Sequence, residues 1–77
     1  MNNDLVTISP EILAGTAVFK GTRVPIESLF DHLEAGASLD EFLEDFPTVN
    51  REQAVKVIAL AESMLQRNLK LAHESAA

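Results

Sequence analysis

Apolar positions change their spacing once along this chain, at Pro25, from every second residue to every third or fourth. Ahead of that point, Leu5-Val6-Thr7-Ile8 and Ala17-Val18-Phe19 are short β-prone runs, ended by Ser9-Pro10 and bounded by Gly15 and Gly21. Neither persists alone, so the pattern predicts a small ribbon, or pairing with a second copy. Between them, Pro10-Glu11-Ile12-Leu13 predicts a single helical turn, and Leu13-Ala14-Gly15 a reversal of the backbone.

Beyond Pro25 the helical period takes over. Ile26, Leu29, Phe30 and Leu33 share one face, with Glu27, Asp31 and Glu34 opposite, and Gly36 ends the helix. Ser38-Leu39-Asp40-Glu41 reads as a capping box that starts a short second helix. Its Leu39, Phe42, Leu43 and Phe46 point inward before Pro47 stops it, while Asp40, Glu41, Glu44 and Asp45 face water. Asn50 is placed to cap a third helix over about 51–71, with Gln53 at the reciprocal position.

That third helix is apolar over more than one stripe. Ala54, Val55, Ile58, Ala61 and Leu65 are read as its core face. Val57, Leu60, Met64 and Leu71 extend around the side and are read as an oligomer interface, because so small a core has no room for both sets. The elements together predict a mainly α, three-helix, helix-turn-helix-like domain (homeodomain-like or winged-helix-like) preceded by a short β element. Residues 1–77 are read as a single domain, with the β element and joint over 5–24 and the helices over 25–74.

Charge narrows the partners. Six Lys and Arg against twelve Asp and Glu give −6, which disfavours non-specific attachment to nucleic acid and to anionic membranes but suits a basic protein. With no cysteine, neither a disulfide nor a thiolate metal site stabilises the 77 residues, which leaves self-association as the common remaining route. The chain has no apolar run of bilayer length and no signal-peptide pattern at its start, so a cytoplasmic location is expected.

The segment Gly21-Thr22-Arg23-Val24-Pro25-Ile26 joins the β element to the first helix. Pro25 suits a helix start, where its missing N–H costs nothing. Arg23 has two readings. It ties down Glu27, Asp31 or an acid of the second helix as a two-pronged pair, or it meets a partner; Gly21, Thr22 and Pro25 set it in place either way.

Catalytic chemistry has no foothold. The chain has no Ser–His–carboxylate set, no HExxH, no phosphate-cradling glycine loop and no cysteine nucleophile, so no enzyme, cofactor or metal is expected. His32 beside Asp31 reads as a packing histidine, and His73 as a side chain suited to a helix end. For DNA, Asn50, Arg51, Gln53 and Lys56 cluster at the start of the would-be reading helix, though the acidic second helix would lie near the phosphates.

The run Ser9-Pro10-Glu11-Ile12-Leu13-Ala14-Gly15, followed by Lys20-Gly21-Thr22-Arg23-Val24-Pro25-Ile26, resembles the small bacterial DUF433 family. The likeness continues through Leu33–Leu43, Phe46-Pro47 and Asn50–Ala61. One departure is Thr16-Ala17, where the family more usually has a lysine–proline pair. The resemblance implies a helix-turn-helix-like fold and the antitoxin half of a toxin–antitoxin system, binding a PIN-like ribonuclease. The alternative it leaves is a DNA-binding autoregulator that acts as a homodimer or with the toxin.

Overall fold

The structure is a computed structural model that describes residues 4–76. Its order is β1 (Val6–Thr7), β2 (Val18–Phe19), α1 (Ile26–Glu34), α2 (Leu39–Asp45) and α3 (Arg51–Ala76). It is a mainly α, three-helix arrangement behind a two-stranded β element, consistent with a helix-turn-helix-like fold.

The two short β-prone runs find each other. β1 and β2 pair antiparallel, Val6 with Phe19 and Thr7 with Val18, and Pro25 bridges back to Val18. Between the strands the Ile12 N–H closes a single turn on the Ser9 carbonyl at 3.0 Å, across Pro10 and Glu11, and Leu13–Gly15 then reverse the backbone as expected. Leu13, Ala14 and Gly15 all hold positive φ, at 47°, 55° and 87°. Only the glycine adopts that conformation without cost.

Local signals fix the helix ends. After α1, Gly36 takes φ 87°, its N–H meets the Leu33 carbonyl, and the Ala37 N–H reaches the His32 carbonyl at 2.9 Å. This is the paired C-terminal cap that a glycine makes possible. At α2, Ser38 Oγ accepts from the Glu41 N–H at 3.1 Å while Glu41 Oε1 accepts from the Ser38 N–H at 3.3 Å, so the capping box is complete. Both sides of it relieve backbone donors that the helix leaves open.

Phe19, Leu29 and Phe42 are fully buried at the centre, joined by Val24, Val49, Ala54 and Val57. The Phe42 ring stands 5.9 Å from Phe19 and 5.1 Å from Phe46. The core thus takes one side chain or more from every element, but α3 gives it only its first three turns. Val57 belongs to this core at 4% exposure, so it is no interface residue; Val55, read as core, is 48% exposed. The sequence carries apolar residues around more than half of α3, and the ribbon and α1 settle which of them is covered. Leu65 is likewise exposed, and the side chain of His73 lies outside the described residues.

Candidate partner-binding site

The joint between ribbon and helices is a tight reversal. Thr22 donates its N–H to the Phe19 carbonyl at 3.0 Å, with Gly21 at φ 81° as the third residue of the turn. The Thr22 hydroxyl donates to the same carbonyl at 2.8 Å and accepts from the Val24 N–H at 3.0 Å. One threonine therefore satisfies both sides of the bend. The Phe19 N–H returns to the Val24 carbonyl and the Ile26 N–H to the Ala17 carbonyl, which carries the chain straight into α1.

Strand-like alternation across the joint sends Val24 inward and Arg23 outward. Arg23 is exposed and makes no ion pair with any described carboxylate. The pair expected with Glu27, Asp31 or an acid of α2 is not formed. Backbone and threonine hydrogen bonds hold the joint without it.

The four polar residues at the start of α3 are brought together, each already engaged. Asn50 Oδ1 accepts from the Gln53 N–H at 2.7 Å, capping the helix. Gln53 does not reach back as the reciprocal cap. Its side-chain amide donates instead to the Leu5 carbonyl at 3.2 Å and the Lys20 carbonyl at 3.1 Å, stitching α3 to both strand ends. Arg51 pairs with Asp40 across the α2–α3 turn, and Lys56 with Glu52 at 2.8 Å, one turn apart. The Lys56 partnership raises the lysine's pKa and lowers that of Glu52, chiefly through their hydrogen bond. Two acids, Asp4 and Glu52, and two cations, Lys20 and Lys56, line a shallow depression of about 320 Å³ together with Leu5, Asn50 and Gln53.

The opposite character belongs to the lobe formed by α1, α2 and their connections. Residues 24–50 hold seven carboxylates, all exposed, and no Lys or Arg; the rest of the chain has six cations against five carboxylates. The lobe thus carries −7 and the rest of the chain +1, so it accounts for more than the whole net charge of −6. His32 is half-buried within it, edge-on to Phe42 and Phe46 at 5.4 and 5.5 Å. Its Nε2 lies 3.0 Å from Asp45 Oδ2 and its Nδ1 donates to the Ser28 carbonyl at 2.8 Å. Both neighbours are acceptors, so the doubly protonated ring fits best. Asp45 first, then Ser28, raises the histidine's pKa above the usual 6.5.

A third feature is apolar. Beside α3, Val6, Ile8, Ile26, Phe30, Leu60 and Met64 wall a groove of about 350 Å³, with Val57 and Ala61 at its base. Leu60, Met64 and Leu71 are exposed, as an interface requires. The β-prone N-terminal segment and the far half of α3, either of which the sequence offered as a seam, meet in this groove. Among the described residues no group of three or more His, Cys, Asp or Glu converges as a metal site, and no helix is long and apolar enough to cross a membrane.

The residues that build the joint, the cap and the tie to the ribbon are those that a family profile covers: the one described as a protein of unknown function, DUF433, matches residues 6–61. The chain belongs to the DUF433 family. The matched span ends at Ala61, where α3 leaves the DUF433 core, so the distal part of the helix lies beyond it. An uncharacterized protein, y4eO, of Sinorhizobium fredii (strain NBRC 101917 / NGR234) is 42% identical over 50 residues. That alignment takes in 65% of this chain and 23% of y4eO, so the chain spans under a quarter of that relative's length. No solved structure matches the chain.

Proposed function

We propose that this DUF433 chain is an antitoxin-like protein-binding module that neutralises a PIN-like ribonuclease and performs no catalysis itself. The observation that carries the reading is the acidic lobe: seven exposed carboxylates over residues 24–50 with no Lys or Arg among them. A nuclease that grips RNA presents a cationic groove, and a compact lobe of this sign covers such a groove by electrostatic complementarity. The family resemblance supplies the kind of nuclease. Arg23, exposed beside the lobe and in no ion pair with a described carboxylate, supplies a directed contact within it.

The helix-turn-helix-like arrangement also supports a regulator that touches DNA, but the charge distribution favours a protein partner. Arg51 and Lys56 are each paired with a carboxylate, and Asn50 and Gln53 are spent on the backbone. Phosphates approaching α3 would also meet the carboxylates of α2.

Co-expression with a PIN-like ribonuclease, taken first from the protein encoded next to this chain, tests the reading. The two are expected to co-purify and the growth arrest caused by the nuclease to be relieved, with both effects weakened by Glu34→Lys plus Glu44→Lys. A nuclease that neither binds nor is relieved, at low salt and with the native sequence, contradicts it.

A further inference from the structure

We propose that the distal segment of α3, residues 60–72, pairs with the same segment of a second copy in an antiparallel, two-fold arrangement. The segment is unusually apolar for an exposed helix. At about 100° per residue, Ala61, Asn68 and Ala72 fall along one line, continuous with the core-facing Ala54. Met64 and Leu71 flank that line on one side, Leu65 and Leu69 on the other. These four side chains are 55, 54, 59 and 61% exposed, so the stripe that closes the core runs on for three turns with nothing over it. Most of the stability of such a helix comes from packing an apolar face rather than from propensity.

Geometry selects the direction. The uncovered stripe lies on the same side of α3 as the folded body. Two copies packed face to face in parallel would place both bodies between the helices, where they collide. Antiparallel packing puts the bodies at opposite ends and lays each distal segment along the partner's stripe toward the groove beside Ile8 and Phe30.

Charge selects the same arrangement. Residues 60–72 carry Glu62, Arg67 and Lys70, a small positive excess, whereas residues 24–50 carry seven carboxylates. The antiparallel pair separates the two acidic lobes and brings the cations of each helix toward the partner's lobe. Asn68, the polar residue on the central line, finds its hydrogen-bond partners across the seam and fixes the register. Covering four side chains at roughly 100 Å² each, plus the groove walls, buries about 1,000 Å² over two copies, the lower bound for a specific interface. The dimer should therefore dissociate on dilution. This pairing stands independently of the nuclease reading, because it uses a different surface.

Sedimentation equilibrium tests it directly. The native chain is expected at twice its 8.4 kDa mass at high concentration and as a monomer on dilution. Met64→Glu plus Leu65→Glu should weaken the dimer at least tenfold, and Ser63→Glu, on the opposite face, should leave it intact. Because the chain has no cysteine, single Gln66→Cys and Glu44→Cys variants accept spin labels cleanly. Antiparallel pairing requires the two Gln66 labels to lie closer together than the two Glu44 labels. A monomer at all concentrations, equal dissociation by Ser63→Glu, or Glu44 labels as close as the Gln66 labels would each overturn the proposal, whatever the outcome with the nuclease.

Discussion

Residues 51–61 and 62–72 are consecutive lengths of one helix, and both contain several large apolar side chains. In the first, Ala54 and Val57 are closed over by the ribbon, α1 and α2; in the second, Met64, Leu65, Leu69 and Leu71 are all more than half exposed. Side-chain hydrophobicity does not separate them. What separates them is which length the ribbon, α1 and α2 pack against among the described residues. The first length is a wall of the core; the second is a surface.

Substitution by charge should expose that difference most strongly. Val57→Asp buries an unpaired carboxylate in the core and should cost at least about 3 kcal/mol. Leu65→Asp, eight residues on, should change monomer stability by less than about 0.5 kcal/mol. Urea denaturation of the two variants at concentrations below dimerisation measures both. Similar costs would erase the distinction between the halves.

Next is Gln53, which anchors the buried half to the strand ends. Gln53→Ala leaves the Leu5 carbonyl to the Lys20 N–H and the Lys20 carbonyl to water, and should destabilise by about 1 kcal/mol. Amide exchange in β1 and β2 should accelerate with it, while exchange in 62–72 stays unchanged.

The His32 clamp between α1 and α2 adds a pH dependence confined to the body. The folded pKa lies above 6.5, so the clamp contributes fully below the unfolded value and its contribution is lost as pH rises through the folded pKa. Thermal melts should show stability falling over that interval, and Asp45→Asn should flatten the slope. The smallest effect belongs to Arg23. Arg23→Ala and Arg23→Lys should both leave the melting temperature within the range of ordinary surface changes, yet weaken capture of the nuclease. A large loss of stability would restore the pairing role that its exposed position denies it.

Much of this architecture was legible beforehand because it is written in local chemistry. Ser38 and Glu41 announce their capping box, Gly36 its positive φ, and Asn50 its cap, each through a bond spanning a few residues. What periodicity left open depended on distant partners. It placed Val55 inside and Val57 outside because α3 is apolar around so much of its circumference that several phases fit equally well. Gln53 looked like half of a capping box, yet two carbonyls of the ribbon compete for its amide, and that ribbon lies more than thirty residues away. Arg23 was expected to need a carboxylate, but its side chain is exposed, and water solvates the cation where no carboxylate is brought to it.

Hydrogen exchange along α3 at two protein concentrations tests the central distinction most directly. Amides of residues 54–61 should be protected to the same degree at both, because the chain's own core covers them. Those of residues 64–72 should exchange rapidly in dilute solution and gain protection on concentrating, as a second copy covers the stripe. Protection of the distal half that is already full in dilute solution, or that never rises with concentration, would contradict the account.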